Sequence, residues 1–206
     1  DADGSKVLED DDTLPLVAPL IEARWEPAEP VFGGRLRLRG SAVSLYRDAF
    51  LAAPLNPSII PVDTEGLPGV DSRRVSGQAE WRRTLVAPNG LRWEPFVDVR
   101  ADFYSIADLP PMMGIESDET LTRSRLSAGL DVSYPLIRRT GAADIILEPL
   151  AQLSISNDAE TDPLIPNEDS QAIELDQFSL FRMERFPGYD LVEGGLGFTA
   201  GGPDTL

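Results

Sequence analysis

Six arginines, Arg74, Arg82, Arg92, Arg100, Arg123 and Arg125, alternate along the chain with Glu80, Glu94, Asp98, Asp102 and Asp131. Guanidinium and carboxylate groups arranged this way form charge-assisted, often bidentate pairs, and arginines left over bind phosphates or acidic sugars. That chemistry is recognition, not bond making. The chain has no histidine and no cysteine, which removes the usual general base, the commonest transition-metal ligand and any thiolate nucleophile. Carboxylate pairs abound, but none stands in an apolar setting that would raise a pKa for acid–base catalysis. No catalytic constellation results, and neither a cofactor nor a metal site is expected. Arg100 and Arg125 are the candidates for touching substrate phosphates; structural pairing with Asp98, Asp102 or Asp131 is the weightier reading of both.

Three further stretches resemble ligand motifs only loosely. "DADGSKVLEDDD" lacks the spacing of a calcium loop. "GGLGFTAGG" has Thr199 where a calcium-binding nonapeptide repeat needs Asp. "GGRLRLRG" is followed by no helix that would make it a phosphate cradle.

The elements that carry the charged residues follow from composition and period. With 206 residues the chain is long enough for one or two domains, and its formal net charge of −17 argues against nucleic acid as a partner. Lys6 is the sole lysine. No apolar run approaches the roughly 18 residues of a transmembrane helix. The opening shows neither an initiator Met nor a signal-peptide pattern, so an internal piece of a longer protein is expected. Period-2 alternation dominates: Leu91, Trp93, Val97, Val99, Ala101 and Phe103 oppose Arg92, Glu94, Asp98, Arg100 and Asp102, and Leu126 to Leu136 repeat the habit.

Seven strands are expected near 14–26, 35–47, 73–86, 91–104, 121–136, 144–156 and 189–200. Val43 and Leu45 fall out of phase with Arg35, Arg37 and Arg39, so a β-bulge at Gly40–Ser41 is expected to restore the second strand. The connections alternate without exception between short ("PAEPVFGG", "APNG", "RTGAA") and long. That pattern, on strands longer than the roughly 5–6 residues usual in soluble sheets, fits a transmembrane β-barrel with short periplasmic turns and long outer loops. Trp81 and Trp93, paired beside "APNG" on the apolar parity, fit an interfacial aromatic girdle, and Arg83 could snorkel there. The charged parity would line a hydrated lumen. A soluble secreted β-sandwich that binds carbohydrate, with the charged parity as its wet outer face, is the principal alternative; another large barrel, a porin or a plugged receptor, is the second.

Longer motifs carry a family resemblance. Glu148, Pro149, Ala151 and Gln152 form an "EP.AQ" strand. Asn167, Glu168, Asp169 and Ser170 form "NEDS", and Leu180, Phe181, Arg185, Phe186, Gly188, Asp190, Glu193, Gly194 and Gly195 follow in an "LF…RF.G.D..EGG" pattern. Together with "EWRRTL", "RWEPFVDVRADFY" and "LPLVAPLIEARW", these resemble the barrel domain of the LPS-assembly protein LptD (organic-solvent-tolerance protein) family, over about Leu14 to Gly195. Leu191 stands where the family usually has Arg, which weakens any specific role at that spot.

The resemblance implies a non-enzymatic component of the Gram-negative outer membrane that transports lipopolysaccharide and inserts it into the outer leaflet. It also implies an LptE-like plug lipoprotein inside the barrel and periplasmic bridge proteins reached through a domain outside this chain. The expected fold is therefore all-β: an antiparallel up-and-down meander of about seven long strands forming part of a large transmembrane β-barrel. Residues 1–206 would be a fragment of that one domain, with an acidic outward-facing segment at 1–13 and strands between 14 and 200. "IPNEDS" would cap the extracellular mouth, its charges hydrated or bound to the divalent ions that bridge surface lipopolysaccharide.

Overall fold

The computed structural model describes residues 14–52, 54–61, 63–64, 66–111, 115–139, 144–157, 162–170, 188–191 and 195–201. The acidic segment 1–13, Phe181, Arg185, Glu193 and Gly194 lie outside them.

Among the described residues ten strands run in chain order: β1 (Leu16–Trp25), β2 (Arg35–Tyr46), β3 (Asp71–Arg82), β4 (Leu85–Val86), β5 (Arg92–Ala107), β6 (Glu119–Ser133), β7 (Leu136–Arg139), β8 (Asp144–Leu147), β9 (Leu150–Ser156) and β10 (Gly195–Gly201). The main sheet is an antiparallel meander ordered β1-β2-β3-β5-β6-β9-β10, with β4 extending β3 alongside β5, and β7-β8 form a separate ribbon. The sheet does not close: β1 and β10 are its edges. This is the seven-strand meander that the alternation predicts, in an open section.

Three prolines explain why seven stretches become ten strands. Pro95 offers no N–H to residues 83–84, so the ladder lapses between Arg82↔Phe96 and Leu85↔Trp93 and then resumes in the same register. Pro135 and Pro149 interrupt the next hairpin in the same way, between Ser133↔Leu150 and Leu136↔Leu147. The Tyr134 N–H still donates to the Pro149 carbonyl at 3.2 Å.

Two expectations need correction. There is no bulge at Gly40–Ser41: β2 pairs β3 without a slip from Arg35↔Arg82 to Leu45↔Ser72. The irregularity lies instead on β1, between Val17 and Leu20, a stretch containing Pro19, which cannot donate to the ladder. Val43 and Leu45 therefore stay on the face of Arg37 and Arg39, as an apolar patch on an otherwise polar wall. Trp81 and Trp93 are not paired either, since Trp81 faces Val97 and Trp93 faces Leu85; the Trp81 indole instead donates to the Val31 carbonyl at 2.8 Å. That carbonyl begins a tight Val31–Gly34 turn whose central residues, Phe32 (φ 53°) and Gly33 (φ 73°), are both left-handed, the conformation that matches the strands' twist.

The two faces differ in what covers them. Val99, Leu126, Leu153 and Phe198, on the apolar parity, are 46%, 55%, 51% and 73% exposed, while Asp98 and Arg100 between them are 2% exposed. The one hydrophobic core among the described residues lies at the end of the sheet with the long connections. There Leu55, Ile59 and Val70 from 47–70 meet Tyr104, Ile106 and Leu109 at the end of β5, together with Ile165.

Candidate functional site

Register places the charged residues of the polar face in rungs that cross the strands. One rung reads Leu20–Val43–Arg74–Tyr104–Leu121, the next Glu22–Ser41–Ser76–Asp102–Arg123, and the third Arg24–Arg39–Gln78–Arg100–Arg125. Arg37–Glu80–Asp98–Ser127 and Arg35–Arg82–Phe96–Gly129 follow, then Glu94–Asp131–Gln152. All eleven strand residues singled out from the sequence (Arg74, Glu80, Arg82, Arg92, Glu94, Asp98, Arg100, Asp102, Arg123, Arg125 and Asp131) lie on this one face.

Near the short turns the pairs are half-buried. Arg82 reaches Glu80 at 2.5 Å, Asp131 at 2.9 Å and Glu94 at 3.3 Å, and its guanidinium stacks on Phe96, 4.7 Å from the ring centre. Phe96 lies across Gly129, where any Cβ would overlap the ring. Gln152 donates to Asp131 at 2.7 Å, and Arg92 stands 3.7 Å from Glu148 at the rim.

Toward the long connections the face is buried under two pieces of the loop between β9 and β10, residues 165–170 and 188–191. Arg47 clasps Glu168 through two hydrogen bonds of 2.5 and 2.7 Å. Arg74 pairs with Asp190 at 2.5 Å and Asp169 at 2.8 Å. Arg123 donates to Asp102 at 2.8 Å and to the Asp190 carbonyl at 2.6 Å, and both Arg123 and Arg100 donate to the Tyr189 carbonyl. The Tyr189 ring lies against the guanidiniums of Arg74 and Arg100, at 4.7 and 4.8 Å. Asp98 takes a hydrogen bond from Gln78 and an ion pair from Arg125 at 3.6 Å.

The loop is tied to itself by the family-motif residues. Asp190 Oδ2 accepts the N–H groups of Glu168 and Asp169, and Asp169 Oδ1 accepts those of Tyr189 and Asp190. Ser170 Oγ accepts the Asp190 and Leu191 N–H groups, Asn167 Oδ1 accepts the Ser170 N–H, and the Asn167 N–H donates to the Pro54 carbonyl. Gly188 (φ 99°) passes so close to the Asp169 carbonyl that no side chain fits. Burial pushes the Asp169 carboxyl up, but Arg74 and the Tyr189 and Asp190 N–H groups outweigh it and hold the group below the usual carboxylate range.

The expectation that these loop charges stay hydrated or bind divalent ions is therefore corrected. Glu168, Asp169 and Asp190 are engaged by arginines and backbone N–H groups, and among the described residues no acidic cluster is arranged to hold a metal. Arg100 and Arg125 are structurally paired, as their neighbours suggested.

Sequence reasoning missed Arg47, Tyr104 and Tyr189. Tyr104 shares the parity of Arg100 and Asp102 and was legible on that ground, whereas Arg47 and Tyr189 stand at the ends of the expected strands 35–47 and 189–200 and outside the observed ones, where parity does not say what they meet. Beside the docked loop, a cavity of about 480 Å³ opens toward β1, with Val17, Leu20, Val43 and Leu45 on one wall and Tyr189 on another.

No curated protein matches the chain. The family model described as LPS transport system D, LptD, matches residues 6–206. With nearly the whole chain matched and an open antiparallel meander to go with it, the protein belongs to the LptD family, which serves lipopolysaccharide transport and assembly at the outer membrane.

Proposed function

We propose that this sheet is a section of the wall of one outer-membrane β-barrel domain, spanning the chain from 1 to 206, through which lipopolysaccharide reaches the outer leaflet. The observation that carries the reading is the contrast between faces: a continuous apolar parity left uncovered, backed by charged residues that are paired and buried. In lipid that apolar face is satisfied by acyl chains, and a closed barrel would leave no backbone edge unpaired. A soluble sandwich would bury it against a second sheet, and no second layer covers Val99 or Leu153 among the described residues.

In this reading the charged face, from Arg74 and Arg123 down to Glu94 and Asp131, lines the lumen. The short turns face the periplasm and the long connections face outward. The docked 165–170 and 188–191 pieces, with the Asn167–Ser170 motif, Gly188 and Asp190, occlude the outer part of the lumen. Paired arginines and carboxylates offer the saccharide a hydrated, hydrogen-bonding wall, while the lipid part leaves through the membrane side. No bond is made or broken. The partners are a plug lipoprotein of the LptE type within the barrel and periplasmic bridge proteins that deliver the lipid.

The test is photocrosslinking in cells. A photoreactive residue at Glu94, on the charged face, is expected to give lipopolysaccharide adducts that fade when lipopolysaccharide supply is stopped. The same residue at Val97 is expected to give membrane-lipid adducts that persist. Absence of supply-dependent adducts at Glu94 would defeat the reading.

A further inference from the structure

Arg24 and Arg39 face each other directly across β1 and β2 on the charged side of the sheet. Like charges placed opposite one another on adjacent strands repel, and elsewhere on this face such charges are neutralised by carboxylates. These two are not. Neither forms a salt bridge among the described residues, and Arg39 senses Glu80 only at longer range, because both oxygens of that carboxylate are taken by Arg37 and Arg82. The Nε of Arg39 is buried without an acceptor.

One rung toward the long connections, Ser41 and Ser76 are opposite partners, 4% and 3% exposed, and both hydroxyls are buried without a hydrogen-bond partner. Two unneutralised guanidiniums and two unsatisfied hydroxyls thus converge on one patch of β1, β2 and β3. Arg24 is exposed, but the Arg39 Nε and both hydroxyls are buried, and buried polar groups normally find partners, so the patch is short of an acceptor that carries negative charge.

The patch borders open space at its Ser41 end. Ser41 lines the cavity of about 480 Å³ described above, as does Glu22, which is Ser41's partner on β1 and has no ion pair among the described residues. A bare anion would be repelled by Glu22. A sugar ring is not: its hydroxyls donate to the carboxylate, while its C–H face packs on Val43 and Leu20.

We propose that Arg24, Arg39, Ser41 and Ser76 form a binding site for an anionic group, phosphate or carboxylate, carried on a saccharide, with Glu22 accepting from neighbouring sugar hydroxyls. The site rests on the lumenal placement of this face given above, and it supplies a fixed contact for the acidic part of the transported glycolipid.

The experiment uses the full-length protein in detergent and delipidated core oligosaccharide as the probe, intact, phosphatase-treated, carboxyl-reduced, or treated both ways. Intact oligosaccharide is expected to bind at least about tenfold more tightly than the doubly treated form, the difference expected of a charge-assisted contact. Arg24→Gln, an exposed change that leaves the sheet intact, and the Arg24→Gln/Arg39→Gln pair are expected to remove that preference progressively; Arg83→Gln, off this face, is expected to retain it. Loss on phosphatase treatment alone assigns a phosphate, and loss on carboxyl reduction alone assigns a sugar acid.

Equal binding of intact and doubly treated oligosaccharide overturns the proposal, as does retention of the preference in the double variant. Inorganic phosphate competing as strongly as the oligosaccharide also overturns it, by showing a bare-anion site. Each of those failures with Glu94 crosslinks intact refutes the anion site alone, whereas loss of the crosslinks refutes the transport reading beneath it.

Discussion

Asp190 receives donors from two directions: Arg74 and the Tyr104 hydroxyl on Oδ1, and the Glu168 and Asp169 N–H groups on Oδ2. An amide in its place can satisfy only one of these sides and turns a donor toward the other. Asp190→Asn is therefore expected to destabilise docking of the loop by about 3–5 kcal/mol, as removal of one partner from a buried ion pair does. Hydrogen exchange at the Glu168 and Asp169 amides would report it. A pH effect comes from Asp169, whose carboxyl is held below its usual range against burial by Arg74 and two backbone N–H groups. A depressed carboxylate contributes stability above its unfolded value and loses it as pH falls through its folded value. Exchange of the same amides should accelerate on acidification below the ordinary carboxylate range, and Asp169→Asn should remove that component of the acid response. At this scale the sequence was legible in residue type only. Which arginine meets which carboxylate depends on strand register and on the path of the loop, and Asp169 reaches Tyr189 only after a long excursion of the chain.

Strand parity, by contrast, was legible almost residue by residue, because a polar residue on the wrong face is costly in lipid and an apolar one is costly in water. The expected faces of β3, β5 and β6 stand as observed. The failures have local causes. Proline withdraws an N–H, which divides continuous hairpins at Pro95 and at Pro135 with Pro149. The phase change at Val43 called for a bulge because alternation assumes a uniformly polar face, whereas Val43 and Leu45 form the apolar wall of a cavity on that face. The last strand begins at Gly195 and not at 189, since residues 188–191 are turned onto Arg74, Arg100 and Arg123. Element by element, the apolar face makes a sharp prediction. Val99→Arg, opposite Leu126 in the middle of the β5–β6 ladder, is expected to cost about 2–4 kcal/mol of folding stability in bilayers. Gln152→Arg, on the charged face opposite Asp131 and still able to donate to it, should cost much less. Denaturant titration of the full-length protein in lipid vesicles compares the two, and equal losses would contradict the assignment of faces.

Taken whole, the described structure is a wall without an inside of its own. Its hydrophobic core is confined to the end of the sheet that carries the long connections, and the sheet presents bare edges at β1 and β10 together with an uncovered apolar face. Unpaired edges and exposed apolar strands associate in water. The 206-residue chain alone is accordingly expected to sediment as aggregate in buffer and to stay dispersed in detergent micelles; a monodisperse, detergent-free monomer would argue for a soluble fold. This much of the architecture was foreshadowed by the alternation of short and long connections. The docking of 165–170 and 188–191 onto the charged face was not, because polar composition suggests hydration, and only the arginines of that face show why a charged segment is drawn onto it.

That docking also imposes an order of events during biogenesis. Arg47 and Arg74 pair with Glu168, Asp169 and Asp190 of the loop, so hairpins that form before the loop docks leave those ion pairs unmade. Maturation must then end with a latch closing, after the hairpins have zipped. Time-resolved protease challenge of newly exported chains should show the ladder protected first and the 165–170 and 188–191 pieces last.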